Sequence, residues 1–260
     1  QEAEERVELN VGAVILAPGA ELYDGRVRGE LGLGRWPNVV TSIQFERILS
    51  ASGPSKGVVQ RPSDAKHPVK VAWIQCVGSR DPHNANPWCS SVCCMYATKQ
   101  AIIAKEHDAR IEPKIFFMEM RAFGKDFDKY VERAKNEYGV TYQRAMVSAV
   151  REEPGTGNLV LRHALEDGTL VDETFDMVVL SVGFQPHKDA VHLAEVCGIE
   201  SSAYRFAKTD GFAPVELAIA HVDLYFFFDI DVAILALEVY ADDLPFDVAE
   251  AVMFRFGRAY

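Results

Sequence analysis

The chain has no excess of basic residues, no repeat, no low-complexity stretch and no G-x-G-x-x-G motif. Lys plus Arg number 27 against 38 Asp plus Glu, a net charge of −11. A surface this acidic repels phosphate backbones at long range, so nucleic acid is not expected as a main partner. Without G-x-G-x-x-G, no phosphate-binding start of a dinucleotide-binding domain is recognisable. Gly32-Leu33-Gly34 comes near it but follows no strand-like run. The turn after the apolar run VKVAWIQ reads CVGSRD, where a nicotinamide-binding fingerprint needs glycines. C-x-x-C is absent too, which weighs against an ordinary redox-active dithiol. The chain opens QEAEERVELN with no initiator Met, basic n-region or apolar h-region. It reads as a cytoplasmic fragment with neither a signal nor a transit peptide visible.

What is present is ordinary for a globular protein: 260 residues, 48% apolar and 25% charged, enough for one large or two modest domains. Leu217 to Leu237 is greasy enough to raise the question of a membrane span, but Asp223, Asp229 and Asp231 interrupt it. At roughly +2.5 to 3.5 kcal/mol each near a bilayer centre, those carboxylates outweigh the apolar gain, so no span is expected.

Hydrophobic patterning predicts a buried strand over Val11 to Ala17 stopped by Pro18-Gly19, and another over Val69 to Gln75 after a Gly/Pro/Ser-rich loop from Ser52 to Pro68. A helix over Ser91 to His107, a strand over Lys114 to Met118 and a charged amphipathic helix over Asp126 to Tyr138 complete a β-α-β-α order, which implies a parallel sheet. Val140 to Arg144, Val147 to Arg151, Leu159 to His163 and Leu170 to Glu173 alternate between turn signals and read as an antiparallel meander. Met177 to Ser181 returns as a buried strand closed by Gly183 and Pro186. The expected division is 1–68, a nucleotide-binding-type α/β domain over 69–184, and 185–260, with a tail of discordant composition from about 217. That tail holds 9 of the 27 aromatic residues and 8 acidic residues against 2 Arg.

Four of the five cysteines, Cys76, Cys89, Cys93 and Cys94, fall within nineteen residues. Cys76 ends an apolar strand, and in open α/β sheets ligands sit at the carboxyl ends of strands. If the turn is already helical there, Cys89 and Cys93 share a face, with Cys94 about 100° further round. An iron–sulfur cluster bound by four thiolates is anionic, and a helix N-terminus stabilises negative charge, so the start of the Ser91–His107 helix suits one. Four-thiolate zinc stays open, although zinc ribbons usually pair two separated C-x₂₋₄-C knuckles. A disulfide pair runs against a cytosolic chain, and buried or catalytic thiols complete the alternatives. Cys197, in AEVCGIE, reads as a small core residue. His83 reads as solvated, and Arg80 and Asp81 as a surface pair across the Cys76 turn.

The run CVGSRDPHNANPWCSSVCCMYATKQA from Cys76 to Ala101, with GLGRWPNVVTSIQFERILSASGP before it and MEMRAFGKDFDKYVERA after it, closely resembles the A subunit of heterodisulfide reductase and its bacterial relatives, from about Val11 to Glu216. The resemblance implies an α/β, thioredoxin-reductase-like flavoprotein: a Rossmann-like dinucleotide-binding domain with an antiparallel meander plus partial FAD-domain segments. It implies FAD and a [4Fe–4S] cluster ligated by Cys76, Cys89, Cys93 and Cys94. It also implies electron transfer in a complex with other iron–sulfur subunits and an electron-donating hydrogenase or dehydrogenase, with flavin-based bifurcation in many members; a homodimer is compatible with it. Lys99 corresponds to a position near the flavin ring, where an ammonium stabilises reduced, anionic flavin. Gly19 and Gly183 correspond to flavin-contacting turns, although Pro18 stands where Thr is expected and removes an N–H donor. Arg121, Phe123, Gly124 and Lys125 are expected to line the flavin–cluster region. Beyond Glu216 the family's closing Gly-containing strand is replaced by LAIAHVDLYFFFDIDVAILALEVYADD, which a frameshift or artificial junction would explain. Two other readings are a pyridine-nucleotide–disulfide reductase using Cys89 and Cys93, and a zinc-stabilised interaction module without enzymatic activity.

Overall fold

A computed structural model describes residues 16–84 and 86–208, and the backbone of 222–229 and 232–239. Most of the expected strand at Val11 to Ala17 lies outside the described residues. In chain order the elements are β1 (Ala20–Leu22), β2 (Val39–Thr41), α1 (Ser42–Leu49), β3 (Lys70–Val77), α2 (Cys93–His107), β4 (Glu112–Phe117), α3 (Phe127–Asn136), β5 (Thr141–Arg144), β6 (Val147–Glu152), β7 (Leu159–Ala164), β8 (Leu170–Phe175), β9 (Met177–Val182), β10 (Phe184–Pro186), α4 (Ala190–Val196), β11 (Val222–Asp229) and β12 (Val232–Val239). The chain divides into two units, Leu22–Gln185 and a second made of Gln1–Glu21 with Pro186–Tyr260.

The first unit is built on a five-stranded sheet of order β2-β9-β3-β4-β5 in which every pairing is parallel. β9 reads MVVLSV and is buried along its whole length, as a strand covered on both faces must be. On one face α1, α2 and α3 bury Phe45, Leu49, Ala97, Ala101, Ala104 and Ala134 against Val71, Trp73, Ile115 and Val179. The alanines of α2 let its backbone lie close to the sheet. The Trp73 ring meets Phe45 edge-on at 5.4 Å, and its indole N–H donates to Gln100 Oε1 at 3.2 Å. The opposite face, carrying Ala72, Ile74, Phe116, Val178 and Leu180, is covered by the antiparallel meander β6-β7-β8 through Val150, Leu159, Leu161 and Phe175. The chain is thus an α/β protein with helices, a parallel sheet and a small antiparallel sheet as its layers.

One expectation is corrected here. Val140 to Arg144 does not belong to the meander: β5 pairs in parallel with β4 through Lys114–Thr141, Ile115–Tyr142, Phe116–Gln143 and Phe117–Arg144. Alternation alone does not separate the two, because an edge strand of a parallel sheet also has one exposed side. β2, only three residues long, gives no periodic signal, yet it closes the other edge against β9.

In the second unit, α4 is followed by Cys197, which caps it and is exposed, not a core residue as expected. The helix ends after seven residues, so the position that would have faced a core lies on its exit turn. β11 and β12 pair antiparallel from Val222–Val239 to Asp229–Val232. The described residues of the greasy stretch therefore lie in two strands, and among the described residues no helix is long and apolar enough to cross a membrane.

Candidate metal centre

The cysteines gather where β3 ends and α2 begins. The ladder between β3 and β9 shifts register between Ile74 and Val77, so Cys76 sits on an irregularity that releases it from strict in–out alternation. Its φ is +60°, and Arg80 at +56° and Ser91 at +63° are also left-handed. Non-glycine residues in this region cost of order 1–3 kcal/mol each and persist where surrounding structure imposes them, typically at functional sites. Here the surroundings are dense. Ser79 and Ser90 share a hydroxyl hydrogen bond at 2.6 Å, the Phe184 N–H donates to Ser90 Oγ at 2.9 Å, and Asn86 Nδ2 donates to the Gly78 carbonyl at 3.0 Å. The Arg80 N–H donates to the Trp88 carbonyl at 2.8 Å, closing the loop on itself.

α2 starts at Cys93, after Val92, whose side chain makes no capping bond. The condition for Cys89 and Cys93 to share a helix face is not met: the left-handed Ser91 stands before the helix, leaving Cys89 in the loop and Cys93 and Cys94 in the first helical turn. Their position at a helix start is as expected.

All four thiols are free, with Cys93 and Cys94 buried and Cys76 and Cys89 half-buried. Burial pushes the Cys76 thiol up to about 11, and the neighbouring Cys94 and Cys89 add to the rise. Burial also pushes Cys93 up to about 12, with Tyr96 opposing the rise and Cys76, Cys94 and Cys89 adding to it. Cys94 is raised, again chiefly by burial. Each sulfur thus lies within electrostatic reach of the others at one corner of the unit.

Backbone donors already point at two of the sulfurs. The Ser91 N–H donates to Cys89 Sγ at 3.3 Å, and the Arg121 N–H to Cys94 Sγ at 3.5 Å, while the Cys94 thiol faces the Glu119 carbonyl at 3.8 Å. A cleft of about 470 Å³ opens beside Cys76 and is lined by Arg28, Gln75, Ser79, Arg80, Phe116 and Met118 among others. Gln75 is 8% exposed, and neither polar atom of its amide finds a hydrogen-bond partner among the described residues.

Among the described residues no three Cys, His, Asp or Glu side chains surround one ion-sized point. Four free thiols, with N–H groups aimed at two of them and an orphaned buried amide next to Cys76, are a donor set that suits ligation of an iron–sulfur cluster or of zinc.

The remaining expected residues fall as follows. Lys99 Nζ pairs with Glu46 Oε1 at 2.7 Å, and Gln100 Nε2 donates to Glu46 Oε2 at 3.0 Å, joining α2 to α1. Gly183 is packed so tightly that a Cβ there would lie 2.2 Å from Ser79 Oγ. Gly19, at φ +72°, belongs to the second unit. Arg80 and Asp81 do not pair with each other, which corrects that expectation. The left-handed Arg80 turns the two apart, so that Arg80 lies 3.2 Å from Glu119 and Asp81 lies 3.1 Å from Arg28. His83 is exposed, as expected, and Phe123 is 53% exposed. Ser79, Ser90, Gln75 and Glu119 are not singled out by the sequence, since isolated polar residues carry no spacing signal.

Fold and site together define an α/β protein built on a parallel sheet, with a thiol-lined corner at the carboxyl end of its central strand. The chain is 46% identical over 201 residues to iron-sulfur A subunit 2 of the CoB–CoM heterodisulfide reductase of Methanopyrus kandleri, covering 76% of this chain and 30% of that protein. It is 41% identical over 207 residues to the iron-sulfur A subunit of the CoB–CoM heterodisulfide reductase of Methanocaldococcus jannaschii, and 41% identical over 209 residues to the A subunit of the H(2):CoB-CoM heterodisulfide,ferredoxin reductase of Methanothermobacter marburgensis; these matches cover 78% and 79% of this chain and 31% of each relative. The chain therefore belongs, as a homologous segment, to the family of heterodisulfide reductase A subunits, and it spans about 30% of the length of the curated relatives it matches. No protein-family model matches it. The solved structure of LpdA from Mycobacterium tuberculosis overlays with a TM-score of 0.35 at 13% identity, covering 59% of this chain and 28% of that one.

Proposed function

We propose that this chain is the electron-transfer segment of an FAD-dependent oxidoreductase, a heterodisulfide-reductase-like subunit that passes electrons between FAD and a [4Fe–4S] cluster. Cys76, Cys89, Cys93 and Cys94 would hold the cluster, which when bound supplies one-electron storage. The observation that carries the reading is the gathering of four free thiols at one corner by a left-handed loop and an uncapped helix start. The N–H groups of Ser91 and Arg121 hold negative charge on sulfur, and the uncapped start of α2 adds its positive dipole end. Tyr96 closes the site on the helix side, its hydroxyl donating to the Val182 carbonyl at 3.1 Å.

FAD is proposed from the resemblance, with Lys99, Gly19 and Gly183 as its contacts. Lys99 would face it from α2, where Glu46 now holds the ammonium. The relative from Methanococcus maripaludis is named as the A subunit of an H(2)/formate:CoB-CoM heterodisulfide,ferredoxin reductase. We extend to this chain a cytoplasmic complex with other iron–sulfur subunits and a hydrogenase or dehydrogenase donor, and flavin-based bifurcation within it.

Anaerobic preparation followed by iron, zinc and acid-labile sulfide analysis tests the reading. The expected result is a brown protein absorbing near 400 nm with about four irons and four sulfides per chain, lost in Cys76→Ser. A colourless protein holding zinc and no sulfide overturns it.

A further inference from the structure

Three charged side chains surround the sulfurs without being ligands: Arg80, Arg121 and Glu119. Arg121 Nε and Nη2 both reach Glu119 Oε2, at 3.1 and 3.0 Å, and Arg80 Nη1 lies 3.2 Å from the same oxygen. Two cations thus share one carboxylate, which leaves a net positive charge at the thiol corner of a chain whose total is −11. Arg80 lines the cleft that opens beside Cys76, and Arg121 is held against Cys94 by its own backbone N–H. The turn that carries Glu119 and Arg121 is fastened to Cys94 twice, through the Glu119 carbonyl and the Arg121 N–H. The side chains of Arg80 and Arg121 are 26% and 33% exposed, so solvent weakens their field but does not erase it. Other charged groups near this corner are already engaged: Arg28 pairs with Glu30 and Asp81, and Arg144 Nε donates to the Met118 carbonyl.

Resting on the cluster reading above, we propose that the Arg80–Glu119–Arg121 unit sets the reduction potential of the cluster, the arginines raising it and Glu119 holding it down. On reduction the cluster takes up one electron and one unit of negative charge, with no bond made or broken. A nearby cation stabilises the reduced form more than the oxidised one, so it favours electron uptake. Glu119 acts through the arginines: it orients both and offsets one of their charges. The backbone N–H of Arg121 stays whatever side chain stands there, so substitutions at 121 read the guanidinium alone.

The test is a dithionite titration of the anaerobically reconstituted full chain, followed by electron paramagnetic resonance, for the wild type, Arg121→Gln, Arg121→Lys and Glu119→Gln. Arg121→Gln lowers the midpoint potential, changing the reduced-to-oxidised ratio at a fixed potential by roughly three- to tenfold. Tenfold corresponds to about 59 mV for one electron. Arg121→Lys restores most of the shift, and Glu119→Gln moves the potential the opposite way. A purely structural role would move both charge-removing variants in the same direction or not at all, and either result overturns the proposal. If Arg121→Gln loses its cluster, the sign of the Glu119→Gln shift decides. Absence of iron and sulfide from the wild type is a different outcome: it removes the cluster reading itself.

Discussion

Gly183 shows what a single missing methyl does at this corner. A Cβ there would lie 2.2 Å from Ser79 Oγ, 3.0 Å from Ser90 Oγ and 3.3 Å from the Gly78 carbonyl, so the Ser79–Ser90 hydrogen bond exists only because residue 183 has no side chain. Gly78 is under a similar constraint, with φ +74° and the Tyr23 ring where its Cβ would be. Gly183→Ala is expected to lower stability by about 1–3 kcal/mol, as overpacking of a tight site does. In Gly183→Ala/Ser79→Ala the nearest clash is gone, and part of that loss should return in a thermal melt. Equal losses in the single and double variants would show that the close approach is not the cause. The glycine is legible in the sequence as a turn residue; the serine pair it accommodates is not, because Ser79 and Ser90 meet across eleven positions of loop.

At the scale of elements, the Ser52–Pro68 loop is fastened to the β6–β7 hairpin. Arg61 is buried and donates to Asn158 Oδ1 at 2.8 Å and to the Thr156 carbonyl at 2.7 Å, while Asn38 donates to the Gly157 carbonyl at 2.8 Å and accepts from the Ser63 N–H at 3.1 Å. Hydrogen bonds made by a charged group are worth about 1.5–3 kcal/mol net. Arg61→Ala should lose roughly that much in urea unfolding and speed proteolysis between residues 52 and 68; unchanged cleavage would mean the clamp does not hold the loop. Helices are legible in the sequence because their signals are local. The expected ranges of α2 and α3 lie within two residues of the observed ends, and α2 starts late because Ser91 turns left-handed. Strand membership is less legible, since β5 and β6 have similar alternation and differ only in which partner they find.

For the molecule as a whole, the Leu22–Gln185 unit contains the parallel sheet, the meander and all four clustered cysteines. Its core is closed on both sheet faces by its own helices and meander. Residues 22–185 expressed alone are therefore expected to unfold cooperatively, with coincident transitions by circular dichroism and Trp fluorescence. A broad, probe-dependent transition would show that the core needs the rest of the chain.

By itself the sequence determined the class of fold, the thiol cluster and its place at the end of a buried strand, because apolar periodicity and cysteine spacing are written along the chain. Tertiary structure alone decided that Ser91 turns left-handed ahead of the helix and that β5 joins the parallel sheet. It alone also showed Lys99 pairing with Glu46, and Arg80 and Arg121 meeting on Glu119. Those outcomes depend on which distant segments come into contact, and contact energies between residues tens of positions apart leave no local pattern to read.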